Sequence, residues 1–182
     1  MSTLSEVIFM AAIVIAACLI AYGWSRERSK KLRARFGPEY DAALNQYGSR
    51  PKAEKALADR TERMEKIQTH PLSRLEQGNF VERWRRVQAL FVDDPMEAVQ
   101  QADRLVGDVM RTRGYPVAGY ERRVEDLSVD YPNLVNNYRS AHDIFMRLER
   151  KETTTEDLRQ AMVSYRNLFD ELLEAHTAEV RI

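Results

Sequence analysis

Residues 7–24 form an unbroken apolar stretch near the N-terminus and contain no charged side chain. An α-helix of this length rises about 27 Å, which is close to the thickness of the hydrocarbon core of a bilayer. Tyr22 and Trp24 stand at the C-terminal end of the stretch, where amphipathic rings favour the headgroup layer. The stretch therefore predicts a transmembrane anchor over residues 1–24.

The charges on the two sides of this stretch are asymmetric. The leader MSTLSE has no Lys or Arg, whereas a cluster of six cations follows the stretch, namely Arg26, Arg28, Lys30, Lys31, Arg33 and Arg35. A cleaved signal peptide normally carries its cations ahead of the apolar segment. The positive-inside rule therefore predicts a permanent single span in a bacterial inner membrane, with the N-terminus outside and the body in the cytoplasm. The six cations are also suited to contact anionic lipid headgroups.

An alternative interpretation of the same stretch is export with lipid anchoring. The four residues that end at the single cysteine (Ile15, Ala16, Ala17 and Cys18) resemble a bacterial lipobox, in which the cysteine is lipidated after cleavage. The missing cationic leader and the continuing apolar run argue against it. Alanines spaced four residues apart in the span would also allow two copies to pack closely, so a homo-oligomer through the span is a further hypothesis.

Composition narrows the function classes. Lys and Arg total 28, as do Asp and Glu, so the formal net charge of the 182-residue chain is zero. General nucleic-acid binding depends on a cationic footprint, and we therefore predict no nucleic-acid partner. One cysteine forms no intrachain disulfide, so nothing in the chain requires an oxidising compartment.

Residues 25–72 are predicted to form a basic juxtamembrane segment followed by a helical spacer. Pro38 suits the first turn of a short helix, and Gly48 suits its end. The next segment, RPKAEKALADRTERMEKIQ, has a thin apolar stripe that Arg60 interrupts. A solvated helical spacer is favoured over a coiled coil because only two heptads are present.

Residues 73–182 are predicted to form a bundle of four main helices and a short one. Asn79 and Glu82 resemble a capping box at the start of the first helix, with Phe91 on its apolar face. Asp94 and Pro95 suit the start of the second helix. Pro132 suits the start of a later one, on whose face Phe145 lies, and a run of Thr residues caps the last. The chain as a whole is predicted to be all-α.

The sequence contains no catalytic constellation and offers no candidate catalytic, cofactor-binding or metal-binding residue. None of the three histidines has a Glu three residues before it, and Gly-rich phosphate loops are missing from the sequence. We therefore predict that the protein is not an enzyme and has no cofactor. A less favoured alternative is a helical bundle that binds a small ligand or acts as an enzyme near His142, which lies at the margin of an apolar face.

Aromatic loops supply the candidate surface for a protein partner. The segments RGYPVAGY and VDYP place four residues at the ends of neighbouring helices: Tyr115, Pro116, Tyr120 and Tyr131. Tyrosine in such places anchors partner peptides, although it also plugs the end of a helical bundle. The arginines between residues 83 and 123 are interpreted as a solvated face paired with nearby acids.

Four segments together resemble one family of short bacterial proteins of uncharacterised activity, described as single-span membrane or secreted proteins. These segments are LRARFGPEYDAAL, FVDDPMEAVQQADRLVGDVMRTRGYP, DYPNLVNNYRSAH and TTTEDLRQAMVSYRNLFDELL. The resemblance implies a protein of the bacterial envelope and implies no mechanism. With the charge pattern, it leads to the hypothesis of a membrane-anchored, non-enzymatic interaction or scaffold module with an unidentified protein partner.

Overall fold

Helices make up most of the chain. The computed structural model describes residues 3–116, 119–149 and 152–174, and within these ranges it contains no β-strand. The helices in chain order are α1 (Thr3–Phe36), α2 (Pro38–Tyr47), α3 (Arg50–Glu65), α4 (Arg74–Asp93), α5 (Pro95–Thr112), α6 (Tyr120–Asp130), α7 (Val135–Glu149) and α8 (Thr155–Glu174). The prediction of an all-α fold is confirmed.

The helices belong to two compact units, Met1–Ala58 and Asp59–Ile182, and the boundary between the units falls inside α3. In the first unit, α1 runs without a break from the apolar stretch through the cationic cluster. Its 34 residues span about 51 Å. Pro38 lies in the first turn of α2, and Gly48 ends that helix in the left-handed conformation with φ 68°, as the sequence predicts.

The second unit contains α4, which begins earlier than the sequence predicts. Ser73 is its N-cap: the Ser73 hydroxyl accepts a hydrogen bond from the Glu76 backbone N–H, and the Glu76 side chain accepts one from the Ser73 N–H. The capping box predicted at Asn79 and Glu82 is wrong, because the Ser-Arg-Leu-Glu sequence six residues upstream supplies the same pattern. Gly78 consequently lies inside α4, on its exposed side.

α5 has a broad buried face. The Asp94 side chain accepts a hydrogen bond from the Glu97 backbone N–H, and Pro95 occupies the first turn, so the predicted start is correct. The buried positions of α5 repeat with helical spacing: Ala98, Val99, Ala102, Leu105, Val106, Gly107, Val109 and Met110. α5 packs between α4 and α8, and α7 packs against α8.

Aromatic contacts join the helices across this core. The rings of Trp84 and Phe169 stack with centroids 4.8 Å apart, which joins α4 to α8. The rings of Tyr138 and Tyr165 meet edge to face at 6.3 Å, which joins α7 to α8. Phe91, which the sequence places in the core, is only half-buried.

The part of α3 that belongs to the second unit differs from a solvated spacer. Arg60 interrupts the apolar stripe, yet its exposed fraction is only 2%. Its guanidinium donates a hydrogen bond of 3.3 Å to the Ser128 hydroxyl and lies 3.8 Å from the Glu125 carboxylate, both on α6. A buried cation is tolerated because these groups partner it.

The chain leaves α5 through a glycine that no other residue replaces easily. Gly114 has φ 86°, and a Cβ atom built on it would lie 2.7 Å from the backbone carbonyl oxygen of Gln68. The His70 N–H also donates to the Arg113 carbonyl at 3.0 Å. The segment before α4 is therefore held against the end of α5 by backbone contacts.

We expect Gly114→Ala to lower the free energy of unfolding by about 1–3 kcal/mol, because the new side chain meets both a strained backbone and a carbonyl oxygen. The matched change Gly78→Ala should raise it by about 0.5–1 kcal/mol, because Gly78 sits in an exposed helix interior. Urea unfolding of the full chain in detergent micelles, followed by circular dichroism, measures both. A destabilising Gly78→Ala would contradict the continuous α4.

Candidate functional site

Within the part of the chain that the structure describes, nothing covers the apolar half of α1. Its large side chains are mostly exposed, with exposed fractions of 67% for Phe9, 66% for Leu19 and 79% for Trp24. Such a row of exposed apolar groups is unfavourable in water. By length and composition, α1 is suited to cross a membrane.

All six predicted cations, from Arg26 to Arg35, lie exposed on the polar half of the same helix. Lys30 pairs with Glu27 at 3.1 Å, and Arg33 pairs with Asp41 at 3.2 Å. Exposed pairs of this kind contribute little to stability. The cluster therefore remains available to ligands outside the protein.

A buried carboxylate, Glu54, connects the helices of the first unit. Its Oε1 atom accepts hydrogen bonds from the hydroxyl of Ser29 on α1, from the hydroxyl of Tyr40 on α2 at 2.8 Å and from Nε of Arg50 at 2.8 Å. One oxygen thus joins all three helices. Burial alone would raise the pKa of Glu54, but these hydrogen bonds outweigh it and lower the pKa below its ordinary value.

The second unit contains a groove of about 650 Å³ between α4, α5 and α6. Five arginines line it: Arg83, Arg86, Arg104, Arg111 and Arg123. Two carboxylates, those of Asp103 and Asp108, lie among them. We call this surface the arginine groove. It is the candidate binding surface of the body, because guanidinium groups bind carboxylate and phosphate oxygens in pairs.

Asp108 fixes two of these arginines. Its carboxylate accepts hydrogen bonds from Arg83 and, at 2.7 Å, from Arg111. Burial tends to raise the pKa of Asp108, yet the two guanidinium groups lower it below its ordinary value, so the carboxylate stays ionised. Each arginine keeps further N–H donors that point away from this shared carboxylate.

Arg123 reaches the groove from α6. Gly107 makes room for it, because a Cβ atom on Gly107 would lie 3.3 Å from Nη1 of Arg123. The guanidinium lies 6.0 Å from the centre of the Tyr138 ring. Among the described residues, no carboxylate lies at ion-pair distance from Arg123, so this part of the chain supplies no acidic partner to a half-buried cation of the groove.

Two residues of the predicted aromatic surface, Tyr115 and Tyr131, form hydrogen bonds within the second unit. Tyr115 is buried, and its hydroxyl donates a 2.6 Å hydrogen bond to Asp130. The Tyr131 hydroxyl accepts one of 2.6 Å from the buried Arg113, which also donates to the Leu172 carbonyl oxygen. Pro116 is half-buried. The hydroxyls of Tyr115 and Tyr131 are therefore engaged in hydrogen bonds that join helix ends.

Tyr120, the fourth member of that predicted surface, packs on the histidine that the small-ligand alternative invokes. The rings of Tyr120 and His142 stack with centroids 3.5 Å apart, and Phe145 continues the stack. Burial lowers the pKa of His142, so the imidazole is neutral at neutral pH. No group of His, Cys, Asp and Glu side chains suited to hold a metal ion occurs in the part of the chain that the structure describes.

The arginines between residues 83 and 123, interpreted from the sequence as a solvated face, include the five that line one groove. The signal was present in α5, where Arg104, Asp108 and Arg111 are three and four residues apart and therefore share one face. Arg83 and Arg86 have the same relation on α4. The role of Glu54 left no comparable signal, because its partners come from three separate segments.

No family model, no curated protein and no solved structure matches this chain.

We expect Glu54→Gln to destabilise the full chain by about 1–3 kcal/mol at neutral pH, because three donors lose a charged acceptor. The pKa of Glu54 is lower in the folded protein than its unfolded value of 4.5. The ionised carboxylate therefore stabilises the fold at pH values above 4.5, and this stabilisation disappears as the pH falls through the lower pKa of the folded state. Unfolding midpoints between about pH 3 and 7 should therefore fall less steeply with acid in the variant than in the wild type.

Glu65→Gln is the control for this prediction, because it removes an exposed carboxylate from the same helix, and among the described residues no hydrogen bond to that carboxylate is lost. If both variants show the wild-type pH dependence, Glu54 does not have the role assigned to it.

Proposed function

We propose that this protein is a membrane-anchored, non-enzymatic module whose helical bundle faces the cytoplasm and holds a protein partner near the membrane. One observation carries the proposal: the exposed apolar half of α1 continues directly into a cationic half, and cations flank it on that side only. The positive-inside rule then favours an N-terminus outside and a body inside. The resemblance implies a protein of the bacterial envelope, and within the envelope the charge asymmetry favours the inner membrane.

The partner is proposed to bind the arginine groove through an acidic segment. The groove offers guanidinium donors from three helices, and Arg123 has no acidic partner among the described residues. Charge complementarity of this kind steers association and fixes the orientation of a partner. The groove is preferred to the aromatic residues of the predicted surface, because Tyr115 is buried and its hydroxyl already binds Asp130.

A binding role also suits the carboxylates of the groove better than proton transfer does. Asp108 accepts hydrogen bonds from two arginines, and Asp103 accepts one of 3.1 Å from the Tyr165 hydroxyl. Carboxylates held in this way orient the surrounding donors, and the lowered pKa of Asp108 keeps that group ionised at neutral pH.

A reporter fused after Ile182 tests the topology. A reporter active only in the cytoplasm should be active, and one active only in the periplasm should be inactive. Replacing the six cations by Gln, together with Ser2→Lys and Thr3→Lys, should exchange the two results, because the charge bias then lies on the other side of the span.

Mass spectrometry of the mature N-terminus distinguishes the proposed permanent anchor from the exported, lipid-anchored alternative. An intact Met1 or Ser2 excludes cleavage at Cys18, whereas a lipidated Cys18 together with an active periplasmic reporter would overturn the proposed orientation.

Crosslinking of the tagged full chain in cells tests the partner surface. The double variant Arg104→Gln, Arg111→Gln should lower the yield of the specific crosslinked product by about tenfold or more, because two charge-assisted contacts are lost. The control Arg85→Gln, Arg166→Gln removes two other exposed, ion-paired arginines outside the groove and should keep the wild-type yield. Equal loss in both variants would contradict the groove and indicate general charge attraction.

A further inference from the structure

We propose that a cleft between α1 and α3 binds the phosphate group of an anionic lipid headgroup. The cleft belongs to the first unit and has a volume of about 1040 Å³. Its lining includes Trp24, Arg28 and Lys31 of α1 and Arg50 and Lys55 of α3. We call it the headgroup cleft. This inference rests on the proposed membrane anchoring of α1.

The position of the headgroup cleft along α1 matches the depth of lipid phosphates. Trp24 ends the apolar stretch, and Arg28 and Lys31 follow it by four and seven residues, so all three share one face of the helix. At 1.5 Å per residue, the two cations lie about 6 and 11 Å beyond Trp24. The polar layer on each side of a bilayer is about 5–8 Å thick. Arg28 therefore lies within that layer, and the flexible stem of Lys31 reaches back to it.

The cations of the cleft are available to an external anion. Lys31 and Lys55 have no ion pair with any carboxylate in the described ranges. Arg50 binds Glu54 through Nε, which orients its guanidinium and leaves the terminal N–H groups as donors. The second carboxylate at the cleft, that of Glu27, is paired with Lys30. The oriented guanidinium of Arg50 and the lysines Lys31 and Lys55 therefore line the same cleft.

The apolar lining favours a lipid over a free phosphate. Trp24 is 79% exposed, and Leu32 and Pro51 add apolar surface beside the cations. An indole at this level packs against the glycerol region of a lipid, while the cations contact its phosphate. Inorganic phosphate uses only the second of these contacts.

Lipid selectivity of the full chain in phosphatidylcholine nanodiscs tests the inference. A small fraction of phosphatidylglycerol with brominated acyl chains quenches Trp24, whereas the buried Trp84 is shielded. We expect quenching of the wild type to exceed the value for random mixing by about threefold or more, and Lys31→Gln, Lys55→Gln to return it to that value.

The matched control is Arg26→Gln, Lys52→Gln. It also removes one cation from α1 and one from α3, but neither residue lines the cleft. Retained selectivity in this control supports a defined site. Equal loss in both double variants would overturn the headgroup cleft and leave only diffuse attraction between charges.

Two further measurements separate the remaining outcomes. Loss of selective quenching on addition of inorganic phosphate at millimolar concentration would show that the cleft takes free phosphate and would overturn the assignment to lipid. Carbonate extraction of the variants from native membranes measures membrane anchoring independently of lipid selectivity. A chain that stays in the membrane without lipid selectivity refutes the cleft but not the anchor, whereas a chain that is extracted refutes the anchoring on which both proposals depend.

Discussion

Burial of the apolar face of α5 is the constraint on which the second unit depends. α4 and α8 pack against it, and the stacked rings of Trp84 and Phe169 join those two helices beside it. Because apolar burial is the main favourable term in folding, the orientation of α5 is fixed by this face. Its polar face is then fixed as well, and Arg104, Asp108 and Arg111 are turned together towards Arg83 on α4. The arginine groove on the polar face of α5 is therefore a consequence of the packing of its apolar face.

The first unit depends on polar contacts to a greater extent. The Glu54 carboxylate accepts hydrogen bonds from three helices, so the cationic half of α1 is tied to the helices that follow it. A buried carboxylate is costly unless such donors surround it. The same contacts orient Arg50, and the headgroup cleft therefore depends on them. These contacts hold the cationic half of α1 against α2 and α3, as the proposed headgroup cleft requires.

Much of the secondary structure was predictable from short-range patterns. Asp94 and Pro95 mark the start of α5, and Gly48 ends α2, because caps and turns act within a few residues. The same reasoning failed at Asn79, where the pattern is genuine in sequence but a stronger capping box at Ser73 precedes it. It also misjudged Arg60 and Phe91. Whether a side chain on a helix is buried depends on helices distant in sequence, and periodicity alone does not identify them.

The sequence by itself determined the all-α class, the apolar stretch of α1 and the one-sided cluster of cations, because composition and helical spacing are local properties. Only the tertiary structure decided that five arginines share one groove, that Glu54 joins three helices and that Arg50 and Lys55 face the cations of α1. These groups lie tens of residues apart along the chain. Their meeting is set by the packing of apolar faces, which brings distant polar faces together as a consequence.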